Sequence, residues 1–95
     1  MTNSLNKHKV TIFGEGYHLV SDETDEHIAQ AGFLVDSLMR EIAEKSHGTD
    51  VKKIAVLTAL KYASATIHLK QQIDLYTQEQ SKLADLIDYE FETLS

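Results

Sequence analysis

Apolar residues recur at helical spacing from Asp50 to Ser95, with no Gly and no Pro to interrupt them. Written as a heptad, Ala55, Ala59, Tyr62, Thr66, Leu69, Ile73, Tyr76, Gln80, Leu83, Ile87, Glu90 and Leu94 alternate steps of four and three. A seam held this long predicts a coiled coil. At 1.5 Å per residue the helix would reach ~65 Å. From Val51 to Ile67 a second apolar stripe, Ile54, Leu57, Leu60 and Ile67 with Val56 nearby, lies on the opposite side. A helix apolar on both sides is buried on both sides. The first half is therefore expected inside a globular head. Beyond Leu69 the single seam of Leu69, Ile73, Tyr76, Gln80, Leu83, Ile87 and Leu94 is expected to form a stalk that needs a partner helix.

Upstream the period changes. Lys9-Val10-Thr11-Ile12-Phe13 alternates and is β-branched, as a strand should be. Gly14-Glu15-Gly16 supplies a turn, and Tyr17-His18-Leu19-Val20-Ser21 returns as a second strand. Val10, Ile12, Tyr17 and Leu19 form the expected inward face, and Met1 to Asn6 a lead-in. Ser21 or Asp22 is placed to cap a helix that begins among Glu23, Asp25 and Glu26 and runs to about Lys45. Its buried stripe is Ile28, Ala31, Val35, Leu38, Met39 and Ile42, with Gly32 beside it. A glycine there costs about 1 kcal/mol relative to Ala, which close packing would explain. Gly48 is the expected terminator and Asp50, or Thr49, the cap of the long helix. The fold class is thus α+β: a small β-β-α head over residues 1–70, then an oligomeric coiled-coil stalk over residues 71–95.

Composition narrows the function. The absence of cysteine excludes disulfides and a thiol nucleophile. Met1 to Lys9 is polar and no apolar run reaches membrane-spanning length, so a cytoplasmic protein is expected. The net charge is −6, and beyond Lys70 six carboxylates, Asp74, Glu79, Asp85, Asp88, Glu90 and Glu92, face Lys82 alone. An acidic stalk repels nucleic acid. His8 and His18 would approach each other across the hairpin, but no carboxylate spacing completes a metal site, and no phosphate loop or nucleophile elbow is present. No cofactor, metal or catalytic residue is expected. Lys45, His47, Lys52 and Lys53 gather around the turn between the helices, with Arg40 near it. A solvated turn is the ordinary reading; a docking patch for an acidic partner is the sharper one.

Several words of the chain, in order and spacing, resemble the ZapA family of bacterial cell-division proteins. They are Val10-Thr11-Ile12-Phe13-Gly14, Tyr17-His18-Leu19, Ala31 with Val35-Asp36-Ser37-Leu38-Met39-Arg40-Glu41-Ile42, and Ile54-Ala55-Val56-Leu57-Thr58-Ala59-Leu60. The resemblance covers about Lys9 to Ile67. It implies a non-enzymatic adaptor that forms homodimers or homotetramers and cross-links or bundles filaments of the tubulin-like GTPase FtsZ at the division site. Family binding residues near the interhelical turn map onto Lys45, His47 and Lys52. The chain departs from the family at Glu15, where a basic residue is frequent, and at Lys61, where Asn is frequent. The alternative is a coiled-coil interaction module for another cytoplasmic partner.

Gln80 is the polar residue of the seam between Tyr76 and Leu83. A polar seam position lowers stability while specifying register and oligomer. Gln80→Leu is expected to raise the melting temperature and to broaden the mass distribution in light scattering. A lower melting temperature with one defined mass would place Gln80 off the seam.

Overall fold

The computed structural model describes residues 4–47 and 50–94, with side chains of the last helix as far as Leu86. Its order is β1 (Asn6–Ile12), β2 (Glu15–Ser21), α1 (Asp25–Ser46) and α2 (Val51–Leu94). Met1 to Asn3, Gly48, Thr49 and the seam side chains of Ile87, Glu90 and Leu94 lie outside the described residues. The chain divides into two compact units, Met1–Leu60 and Lys61–Ser95.

In the first unit, β1 and β2 pair antiparallel from Asn6↔Ser21 to Ile12↔Glu15. The hairpin is longer than the alternation suggested, and its turn lies elsewhere. Glu15 and Gly16 belong to β2, and Phe13 and Gly14 make a two-residue turn with φ of 53° and 83°. Two-residue hairpin turns with positive φ at both centres match the right-handed twist of the strands. Gly14 adopts that conformation freely. Phe13 does not, and holding it there costs of order 1–3 kcal/mol. Asp36 on α1 offsets the strain: its Oδ1 accepts a 2.6 Å hydrogen bond from the Phe13 N–H.

The register also separates the two strand histidines. His8 faces Leu19 and His18 faces Lys9, so they point to opposite sides of the sheet. His8 is buried and His18 exposed. On the inward side Val10, Ile12 and Leu19 are half-buried, whereas Tyr17 is exposed.

Helix α1 begins later than the acidic run suggested. Thr24 is the cap, its Oγ1 accepting from the His27 N–H at 3.1 Å. Ser21 instead accepts from the Glu23 N–H at 3.1 Å. α1 buries Gly32, Leu38 and Met39, half-buries Ile28, Val35 and Ile42, and leaves Ala31 exposed. It ends at His47, in the left-handed conformation with φ 52°. Asp50 caps α2 as expected, Oδ1 accepting from the N–H groups of Lys52 and Lys53 at 3.1 and 3.3 Å.

The opening half of α2 is far less enclosed than a helix apolar on both sides should be. Ile54 and Thr58 are buried, the Thr58 hydroxyl returning a 2.8 Å bond to the Ile54 carbonyl. Val56, Leu57 and Leu60 are 47–60% exposed. One chain lacks the side chains to cover both faces. In the second unit Leu69, Ile73, Tyr76 and Leu83 are all more than half exposed along the seam. The seam is not the sole apolar feature there. Ile67 and Leu75 are equally exposed and, at 100° per residue, fall on the other side of the helix, with Leu86 on the flank of the seam.

Gly32 is where α1 meets β1. A Cβ there would stand 3.3 Å from Val10 Cγ1 and 3.4 Å from Val10 Cβ. Gly32→Leu is expected to lower stability by about 1–2 kcal/mol, overpacking exceeding the ~1 kcal/mol gained in helix propensity. Chemical denaturation measures it; an unchanged or higher midpoint would mean that α1 and β1 separate at no cost.

Candidate functional site

The site residues expected around the interhelical turn are arranged as follows. Lys45 Nζ donates to Glu41 Oε1 at 3.1 Å one helical turn back. Such an exposed pair is worth under about 1 kcal/mol, so the ammonium is readily redirected to a partner. His47 is exposed at the helix end. Lys52 and Lys53 follow in the first turn of α2, exposed, in a turn that holds no acidic residue. Their placement opposes the helix dipole, whose positive end favours carboxylates by about 0.3–1 kcal/mol each. Asp50 supplies the compensating charge just before them.

Arg40 is differently employed. Its Nε donates to Asp36 Oδ2 at 2.9 Å, and its guanidinium lies over the Phe13 ring, 5.9 Å from the centroid. Asp36 therefore grips two groups, the Phe13 N–H and the Arg40 guanidinium. These hold its carboxyl below the ordinary carboxylate value, Arg40 first and Phe13 second, against a smaller opposing effect of burial. Arg40 thus steadies the hairpin tip. No sequence signal marks this, because the partner of Asp36 is a backbone N–H at a turn.

A second cluster went unseen in the sequence. His8, 5% exposed, bridges the open end of the hairpin to the start of α1. Its Nδ1 meets Asp25 Oδ1 at 2.8 Å and its Nε2 meets Ser21 Oγ at 2.8 Å. A carboxylate can only accept, so Nδ1 carries a proton. The residue types are those of a hydroxyl nucleophile, base and orienter. Access runs the wrong way, however: the imidazole is enclosed, the Asp25 carboxylate is 87% exposed, and Ser21 Oγ already accepts from Glu23. The cluster acts as a fastening, supplemented by the Asn6 Nδ2 bond to the Glu23 carbonyl at 3.3 Å. Among the described residues no group of three His, Cys, Asp or Glu side chains is placed to hold a metal, and no helix is long and apolar enough to cross a membrane.

Comparison with known proteins gives one consistent result. A family model described as Cell division protein ZapA matches residues 9–89. The chain is similar to a Cell division protein ZapA of Geobacillus sp. (strain WCH70), 40% identical over 76 residues that span 80% of this chain and 87% of the relative. It is similar to another of Bacillus pumilus (strain SAFR-032), 38% identical over 68 residues, 72% of this chain and 80% of the relative. Among solved structures, a ZapA mutant dimer from Geobacillus stearothermophilus superposes with a TM-score of 0.67 at 34% identity, over 86% of this chain and 92% of that one.

The lowered Asp36 carboxyl has a consequence for stability. A group whose folded pKa lies below its unfolded value, about 3.9 for Asp, stabilises the fold above the unfolded value. That contribution is lost as pH falls through the folded one. Asp36→Asn is expected to melt lower at neutral pH and to lose part of the acid-side fall in melting temperature. Parallel pH profiles for variant and wild type would assign the fall to other carboxylates.

Proposed function

The chain belongs to the ZapA family of cell division proteins, and from that premise we propose that it is a non-enzymatic cytoplasmic adaptor that self-associates and cross-links FtsZ filaments at the division site. The observation that carries this reading is the exposed seam of α2. Leu69, Ile73, Tyr76 and Leu83 offer water a row of large apolar side chains on a helix with no covering element in its own unit. Burial of apolar surface is worth roughly 25 cal/mol per Å², which favours a second helix there. The similarity to a dimeric relative supports the same conclusion. Ile67 and Leu75 add apolar side chains opposite the seam and Leu86 one on its flank, which favours assembly beyond the dimer.

Cross-linking then follows from multivalency. An assembly presents two or more heads, and once one head is attached the second attachment is effectively intramolecular. A weak contact at each head suffices. The cations around the interhelical turn, Lys45, His47, Lys52 and Lys53, are the proposed contact. Lys52 and Lys53 sit against the helix dipole with Asp50 as the local compensation, and both side chains are exposed. Stalk residues 71–95 would hold the heads apart.

Co-sedimentation with FtsZ polymerised in GTP tests the proposal. Wild type is expected to pellet with filaments and bundle them in electron micrographs, less so as salt screens the contact over a Debye length of ~8 Å. Lys45→Glu with Lys52→Glu should abolish bundling and leave the mass in light scattering unchanged. If wild type stays in the supernatant, the adaptor reading is wrong; if the double variant still bundles, the contact lies elsewhere on the head.

A further inference from the structure

The free edge of β1 has a composition that the reading above does not use. Among the described residues the sheet has two strands, so the side of β1 away from β2 carries no strand partner there. Below that edge, between β1 and α1, run two adjoining cavities of about 280 and 310 Å³ that share Lys9, Val10 and Ala29 in their walls. Phe33, 66% exposed, lines the first on the α1 side. Above the edge, on the outward face, stand Lys7 and Lys9, both exposed.

That outward face is cationic on a chain of net charge −6. It consists of Lys7, Lys9 and Thr11 paired with Val20, His18 and Gly16, and none of the six is acidic. Neither lysine is in any of the ion pairs found among the described residues. A Cβ on Gly16 would stand 3.5 Å from Lys9 Cε, an ordinary contact distance, so the Lys9 stem lies across the sheet beside Gly16.

We propose that the β1 edge receives an extended acidic segment of a partner protein as a third strand. Strand addition takes its affinity from main-chain hydrogen bonds and its specificity from alternate side chains. Lys7 and Lys9 lie two residues apart, roughly 6.6–6.8 Å along a strand. Carboxylates at alternate positions of an added strand have the same spacing and fall on the same face. The intervening side chains then point down into the trough, where Ala29 and Phe33 offer apolar contact and the Asp25 and Asp36 carboxylates in the same walls disfavour acidic residues. A second copy of β1 is disfavoured at this edge, because pairing would gather the lysines of both strands on one face, and like charges in cross-strand pairs destabilise. Edge lysines are a common protection against such pairing. Here they select for the opposite charge.

The test uses the full chain and two fluorescent peptides of equal composition, Glu-Val-Glu-Val-Glu-Val and Glu-Glu-Glu-Val-Val-Val, followed by anisotropy. The alternating peptide is expected to bind at least tenfold more tightly and to protect β1 amides from hydrogen exchange. Lys7→Gln with Lys9→Gln should weaken it at least tenfold, while Lys61→Gln with Lys70→Gln, an equal change of charge on exposed lysines of α2, leaves it unchanged. Both pairs are exposed, and a melting curve checks each fold. Equal binding of the two peptides, equal loss in both variants, or no protection of β1 would overturn the proposal. So would a change in light-scattering mass of the Lys7, Lys9 variant without peptide, since a second copy would then occupy the edge. These readouts involve no FtsZ and stand or fall separately from the adaptor reading.

Discussion

The docking of the hairpin onto α1 is the interaction on which the head depends. Two strands alone are marginal in water, and this pair is held at three points along its length. At the open end, His8 joins Ser21 of β2 to Asp25 of α1. In the middle, Gly32 lets the α1 backbone approach Val10. At the turn, Asp36 takes the Phe13 N–H. The outer two are polar and directional, so they specify register; the middle one is steric and sets distance. A one-residue slip of β1 would break all three at once, turning every side chain to the other face.

Much of this was legible in the residues, and the failures are instructive. The α2 heptad, the β-branched alternation of β1 and the ZapA resemblance led to the element order and family that were found. Gly32 announced a close approach because a glycine in a helix is costly without one. Gly14 and Gly16 point to a turn centred between them, whereas the turn is Phe13-Gly14. The chain instead holds Phe13 at positive φ, a conformation maintained only by a tertiary hydrogen bond. His8 was invisible for the same reason: a buried imidazole depends on partners 13 and 17 residues away. Exposure along α2 was misjudged differently. An apolar stripe says that something covers it, and not whether that cover belongs to the same chain.

Charge is distributed by role rather than by total. Arg40 and Asp36 are spent on each other and on Phe13 inside the head. Lys45 is loosely paired, and Lys52 and Lys53 stand at a helix end that disfavours them. Lys7 and Lys9 project from a strand edge. An overall negative sign would suggest a molecule that avoids anions. Both units are net negative, with six cations against nine carboxylates in Met1–Leu60 and three against six in Lys61–Ser95, so the cations act as local patches within acidic surroundings.

The three hairpin fastenings also share a kinetic property. They link residues only 13 to 23 positions apart, and short loops close at low entropic cost. Contacts of low sequence separation form quickly, and a chain grows from its N-terminus. β1, β2 and α1 can therefore begin to pair early, and the start of α2 then adds Ile54 and Thr58 to the same unit. These contacts are intramolecular and independent of concentration, whereas the apolar side chains along the rest of α2 have no cover in their own unit.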